Sequence, residues 1–157
     1  MPESNEKIHV VTRNRKARHE FEIHSTLEAG IELMGTEVKS IREGKINLAD
    51  SYAIIEGGQV YLKNLHITPY GMASGTPVDP TRTRRLLLHK REIGKLTIKT
   101  QQRGMTLVPL TVYFKGKHVK IELALAVGRR KFDKRQAIAK EEAQRRIKQA
   151  LRKETGK

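Results

Sequence analysis

The 157-residue chain contains no cysteine. That excludes disulfides and thiolate metal sites, and it fits a reducing cytoplasm. Tryptophan is absent too, and the other aromatics amount to four Tyr and three Phe. A protein that stacks bases along an open single strand needs more rings than this. One that grips folded RNA or a phosphate backbone does not. No apolar run approaches the roughly eighteen residues of a membrane-spanning helix, and no apolar segment of the secretory kind opens the chain. Neither a span of a membrane nor export is expected. Catalytic motifs are missing as well. The six His (9, 19, 24, 66, 89, 118) stand apart, with no His-Glu-x-x-His and no paired metal-ligand spacing. The Gly-Lys pairs at 44–45, 94–95, 116–117 and 156–157 lack the upstream Gly of a phosphate loop. There is no Gly-x-Ser-x-Gly and no thiol nucleophile. Glu22, Glu28 and Glu32 fall on one face of one predicted strand, and without a pocket they do not argue for a hydrolase. The expectation is a binding protein with no catalytic residue, metal or cofactor.

What the chain does have is positive charge. Thirty-two Lys/Arg against seventeen Asp/Glu leave +15 at neutral pH. That points to a polyanion, nucleic acid first and an anionic membrane surface second. The charge is uneven. From Gly128 onward twelve Lys/Arg face four acids, a net +8 in a fifth of the length. Between Asp133 and Lys153 there is no Gly or Pro, and Ala, Gln, Glu, Lys and Arg dominate. Those are strong helix formers. Asp133 suits an N-cap or first-turn acid. The apolar stripe is thin (Ala139, Ala143, Ile147, Ala150, Leu151), and an isolated helix of about twenty residues is marginal in water. The tail, 128–157, is therefore expected to be disordered when free and helical against a polyanion. A solvated terminus is the plain alternative, against which Phe132 stands out as a large ring among cations.

The body, 1–127, is long enough for one real core. Ile8, Val10 and Val11 suggest a short edge strand, followed by the basic cluster Arg13-Asn14-Arg15-Lys16-Ala17-Arg18, equally well a solvated lead-in. Period-two alternation from Phe21 to Leu33 predicts a half-buried strand, with Gly30 as a place for a bend or bulge. Thr36 is placed to cap a short helix through Arg42, ended by Gly44. Ser51–Glu56 and Gln59–Ile67 read as strands joined by Gly57-Gly58. Residues 68–81 read as a loop. A helix is predicted from Pro80/Thr81 to about Gln102, with the Arg82, Arg84 and Arg85 cluster either gripping phosphates or forming its wet face. Leu107–Phe114 and His118–Val127 form a last hairpin, in which Pro109 marks an edge or bulge. Antiparallel hairpins with two to three interposed helices predict a mainly β chain, a small OB-type β-barrel.

Several words of this sequence can be read together. Asn14-Arg15-Lys16-Ala17-Arg18-His19, Glu28-Ala29-Gly30-Ile31, Gly35-Thr36-Glu37-Val38-Lys39-Ser40, Asp79-Pro80-Thr81-Arg82-Thr83-Arg84-Arg85-Leu86-Leu87-Leu88 and Phe132-Asp133-Lys134-Arg135 resemble the signatures of the SmpB family, the bacterial SsrA (tmRNA)-binding proteins. The resemblance spans about Asn14 to Arg135. It departs at Gly128-Arg129-Arg130, where many relatives have Gly-Lys-Lys; charge is kept, but Arg and Lys differ in hydrogen-bond geometry. The resemblance implies an OB-type barrel and a non-enzymatic role in trans-translation, the rescue of ribosomes stalled on mRNA lacking a stop codon. It implies a monomer that grips the elbow of the tRNA-like part of tmRNA. Its tail would enter the decoding centre and the empty mRNA channel, against small-subunit rRNA. Elongation factor Tu would be an indirect partner, through alanyl-tmRNA. By motif match, Asn14, Arg15, Arg18, Glu28, Leu87 and Lys120 carry the tmRNA contact. Lys120 pairs with phosphate, Glu28 accepts from a base edge or 2′-OH or holds an Arg, and Leu87 offers apolar surface to an unstacked base. In the tail, Gly128 allows a turn, Arg129, Arg130, Lys134 and Arg135 supply charge, Phe132 stacks on an rRNA base and Asp133 caps. A ribosomal protein or RNA chaperone with a barrel and basic tail is the alternative on composition alone, and a polyanion-dependent enzyme a more remote one.

Overall fold

The computed structural model describes residues 7–70, 78–129 and 142–150. The chain forms β1 (Ile8–Arg13), α1 (Arg15–Glu20), β2 (Phe21–Ile31), α2 (Gly35–Arg42), β3 (Ile46–Asn47), β4 (Tyr52–Glu56), β5 (Gln59–Lys63), β6 (His66–Ile67), β7 (Arg84–Leu87), α3 (Lys90–Arg103), β8 (Thr106–Lys115) and β9 (His118–Gly128). Residues 142–150 are helical. Every strand pairing is antiparallel. The pairings run β8 to β4, β5, β7, β2 and β9, and β9 returns to β8. This is a closed circuit of six strands, with β1 laid on β8 as an extra strand. It is compatible with the OB-type barrel expected from the sequence, and closure removes the edges that an open sheet must protect.

The alternation of β9 shows how the two faces are used. Val119, Ile121, Leu123 and Leu125 are buried in the main core with Val60, Leu62, Leu65, Leu86 and Leu107. The opposite positions divide in two. Ala124 and Ala126 pack with Val108, Leu110 and Ala17 of α1. Lys120 and Glu122 remain outside that cover, partly exposed. Alanine is what lets a helix lie close over that half of the strand. The ladder between β8 and β9 slips between Pro109 and Thr111. Pro109 has no N–H to give, so a bulge is where it is tolerated. Because of that extra residue, Val108 and Leu110 face α1, while Val112 and Phe114 face the main core.

Turns explain where strands stop. Gly57 and Gly58 both have positive φ (58° and 74°), the tight hairpin expected between β4 and β5. Asn64 is left-handed (φ 62°) and ends β5 earlier than the alternation suggested. His66–Ile67 then pairs with Ile46–Asn47 instead of extending β5. The short α2 is capped not by Thr36 but by Met34, whose N–H donates to Glu37 at 2.9 Å. The basic cluster before β2 is the helix α1, and β1 is the edge strand expected.

The largest departure lies at 80–89. The helix predicted from Thr81 begins only at Lys90, and Arg84–Leu87 is a strand between β2 and β5. A leucine run suits either structure. Here Leu86 must fill the core opposite Val60 and Ile31, and tertiary pairing overrides local preference. In period two, Arg84 lands inside with Leu86, and it is fully buried. Its guanidinium donates to Glu37 Oε2 (Nε, 2.7 Å), Leu65 O (2.7 Å), Arg82 O (3.1 Å) and Pro80 O (3.1 Å). Arg82 donates to the other oxygen of Glu37 at 2.6 Å, and Arg85 pairs with Glu32. The Arg cluster is therefore not the wet face of a helix, and Arg84 is not available to a phosphate. It ties α2, β7 and the chain around Leu65 together.

Burial alone would raise the Glu37 carboxyl, but Arg82, the Met34 N–H and Arg84 outweigh it and hold it below its ordinary 4.5. A carboxylate with a depressed folded pKa contributes stability that is complete above its unfolded pKa and is lost as pH falls through the folded one. Glu37→Gln should therefore flatten the acid limb of the stability profile below about pH 4.5, measured by urea unfolding across pH. Arg84→Ala should cost about 3–5 kcal/mol at neutral pH, because it strands a buried carboxylate. A loss below about 1 kcal/mol would show the pair to be replaceable by Arg82 alone.

Candidate nucleic-acid interface

Three neighbouring strands bring distant parts of the chain to one spot. Gly30 of β2 is paired with Leu87 of β7 on one side and Lys120 of β9 on the other. Lys120 is in turn opposite Tyr113 of β8. One step along β2, on the same face, Glu28 lies opposite Glu122, which is opposite Thr111. Side chains two apart share a face, so Leu87, Gly30, Glu28, Lys120, Glu122, Thr111 and Tyr113 line one outer surface. Leu87 is a large apolar side chain left 46% exposed there. Gly30 makes this possible: a Cβ on it would meet Leu87 Cβ at 3.1 Å and Cδ1 at 3.4 Å. The glycine is thus a flat place in an ordinary strand, and the bulge of β2 sits instead between Ile23 and Ser25.

Opposed carboxylates on adjacent strands repel, and each has its own partners here. Glu28 accepts from the Tyr113 hydroxyl at 2.5 Å and from Lys115 Nζ at 3.4 Å. Glu122 accepts from the Thr111 hydroxyl at 2.8 Å and from Arg18 Nη2 at 3.4 Å. Partial burial works against the charge on Glu28, but the Tyr113 hydroxyl, Lys115 and Lys120 together hold its carboxyl below the ordinary range. Burial and the same Glu28 push the Tyr113 phenol well above its own. At neutral pH the face therefore carries fixed acceptors in its middle and cations at Lys115, Lys120 and Arg18.

The sequence-predicted residues separate accordingly. Glu28, Leu87 and Lys120 are brought together on the face, and Arg18 reaches it through Glu122. Arg15 is exposed on α1. Asn14 is 5% exposed and its side chain is spent internally. Its Oδ1 accepts from Ala17 N–H (3.1 Å), and its amide donates to Pro109 O (3.0 Å) and Leu48 O (3.3 Å). It anchors α1, and so Arg15 and Arg18, over the β8 bulge. Gly128 ends β9 in extended conformation opposite Phe21, and Arg129 Nε donates to Phe21 O at 3.3 Å. Arg130, Phe132, Asp133, Lys134 and Arg135 lie outside the described residues. Residues 142–150 are all exposed, Ile147 at 60%. Sequence reasoning missed Tyr113, Thr111 and Glu122. Their only signal was polar character at alternate positions of the last hairpin, which many surface strands share. Among the described residues no group of three or more potential ligands could hold a metal.

The family model described as "SmpB protein" matches residues 11–153. The chain belongs to the SmpB family. It is 55% identical over 147 residues to the SsrA-binding protein of Halothermothrix orenii, covering 94% of this chain and 95% of that one. To the SsrA-binding protein of Acetivibrio thermocellus it is 54% identical over 147 residues, covering 94% and 96%. Among solved structures, an SmpB-family match described as "tmRNA-SmpB: a journey to the center of the bacterial ribosome" has 52% identity and a TM-score of 0.63. It covers 74% of this chain and 82% of that one. That likeness at the level of both sequence and fold agrees with the mainly β, antiparallel architecture.

Tyr113→Phe removes the shortest hydrogen bond to Glu28, so the Glu28 carboxyl should titrate closer to its ordinary value. Carboxyl NMR titration of wild type and variant reads this directly. An unmoved Glu28 would mean that Lys115 and Lys120 alone set its charge.

Proposed function

We propose that this chain is the SsrA-binding protein of its cell: it binds the tRNA-like part of tmRNA and delivers it to stalled ribosomes for trans-translation. The observation that carries the reading is the meeting of Glu28, Leu87 and Lys120 around Gly30, in a chain of the SmpB family. The face suits a folded RNA with an unstacked loop. Lys120, Lys115 and Arg18 neutralise phosphates. Glu28 cannot favour a phosphate, so it accepts from a base edge or a 2′-OH. Leu87 offers apolar area to a base that has left its stack. Arg15 adds a backbone contact from α1, and Asn14 acts through α1 by holding it in place. The role is binding; no step of it needs bond chemistry from this chain, a metal or a cofactor.

The tail reading extends the same proposal. Gly128 and Arg129 lead out of β9, and Arg130, Phe132, Asp133, Lys134 and Arg135 engage the decoding centre. The rest continues as a helix in the empty mRNA channel against small-subunit rRNA. The exposure of helical residues 142–150, where Arg145 and Lys148 face solvent and Arg146 has only a loose, exposed pair with Glu142 at 3.8 Å, supports a segment whose cations can meet an outside polyanion. Elongation factor Tu enters only through alanyl-tmRNA. The protein acts as a monomer in the cytoplasm, where stalled ribosomes are.

A chain stopped after Val127 should bind tmRNA as the full chain does, yet support no peptide tagging in a reconstituted translation assay. Full tagging by the shortened chain would refute the division of labour. Lys120→Ala should weaken tmRNA binding and lower its salt slope by about one counterion. An unchanged slope would remove Lys120 from the phosphate contacts. In a pull-down from bacterial lysate, tmRNA should dominate the bound RNA. Similar recovery of many RNAs would favour a general RNA chaperone.

A further inference from the structure

The helix α3 carries a second surface that the sheet face does not use. Its inner side is held by Ile93 and Leu96, both buried in the main core. Thr97 and Thr100 turn their hydroxyls back onto Ile93 O (2.7 Å) and Thr97 O (3.1 Å). The outer side is different. Arg91, Lys95 and Lys99 are exposed and spaced four residues apart, so they stand in a row on one side of the helix. Like charges at that spacing destabilise a helix. Among the described residues none of the three has a carboxylate within ion-pair distance. The helix's sole acid, Glu92, has its carboxylate turned back to accept the His89 N–H at 3.1 Å. Ile98 lies along the same row and is 55% exposed.

Gly94 is the telling residue. It sits within the helix, where glycine is a poor choice against alanine. No positive φ demands it, and a Cβ built on it would meet nothing within 4 Å. Among the described residues nothing explains the missing side chain. Gly94 and Ile98 are four apart, beside Arg91 and Lys95. One exposed strip thus combines two choices that each weaken the free helix, a row of like charges and a bare backbone position, beside an uncovered apolar side chain. Local choices that conflict with stability mark functional surfaces. A bare helix backbone flanked by cations fits close approach by a phosphate backbone.

The geometry points to the outer strip of α3 as an extension of the tmRNA-binding surface, in which Arg91, Lys95 and Lys99 contact the phosphate backbone and Gly94 lets it approach the helix. This rests on the reading of the chain as a tmRNA binder. Continuity favours tmRNA as the occupant over a separate RNA. Leu87, on the sheet face, is followed after two residues by Lys90, where α3 starts. The helix then leads about 20 Å away from that point.

The test uses the full-length protein and the isolated tRNA-like part of tmRNA. Gly94→Leu should raise the thermal midpoint, because leucine is the better helix former. The same variant should weaken tmRNA binding about tenfold. These opposed signs are what a merely structural glycine would not produce. Lys95→Gln with Lys99→Gln should leave the midpoint within a degree or two and lower the salt slope of binding by about two. Unchanged tmRNA affinity and slope in both variants, with wild type binding normally, would overturn the inference. So would a loss confined to binding of vacant ribosomes, which would assign the strip to ribosomal RNA. If wild type itself failed to bind tmRNA, the functional reading would fall first, so the two failures are distinguishable.

Discussion

The pairing of β2 with both β7 and β9 is the constraint on which the proposed binding face depends. Gly30 is the common neighbour of Leu87 and Lys120, residues that are thirty-three positions apart in the chain. A shift of one residue in either ladder would turn every side chain of the moved strand to the other face. The core makes such a shift costly, since Ala29, Ile31, Leu86, Ile121 and Leu123 would then leave it for solvent. The same apolar pattern that closes the barrel therefore fixes which polar groups meet outside it.

Charge is divided between two tasks. Arg82 and Arg84, with Glu37, are consumed in holding the structure together. Removing two ions from water costs free energy that only good geometry offsets, and the guanidinium of Arg84 has four acceptors around it. The cations of the sheet face, α3 and residues 142–150 stay at the surface, where solvent keeps them cheap until an anion arrives. A net charge of +15 is thus not one footprint. Part of it is internal cement, and among the described residues other cations lie on separate surfaces: the sheet face, α3 and residues 142–150.

Much of the architecture was legible because apolar periodicity and turn residues act locally. The strand from Phe21, the Gly57-Gly58 hairpin and the last hairpin with its Pro109 irregularity all follow from side chains a few residues apart. The short helix after Gly35 was legible for the same reason, although Glu37 rather than Thr36 secures its start. The segment at 80–89 was not. Arg84-Arg85-Leu86-Leu87-Leu88 satisfies helical and extended patterns alike, and only the vacancy between β2 and β5 decides between them. The family words pointed to Glu28, Leu87 and Lys120, but nothing local told that Asn14 would be buried as an anchor, or that Tyr113 and Thr111 would hold the two carboxylates.

By itself, the order of residues determined the chemical class of partner, the alternation of buried and exposed positions, and the family. These depend on composition and on short-range spacing, which survive without knowledge of the fold. Tertiary structure alone decided which charges are available. Whether an arginine reaches phosphate or is locked to Glu37 depends on which strand lies beside it, and that is set by long-range pairing that no window of sequence contains.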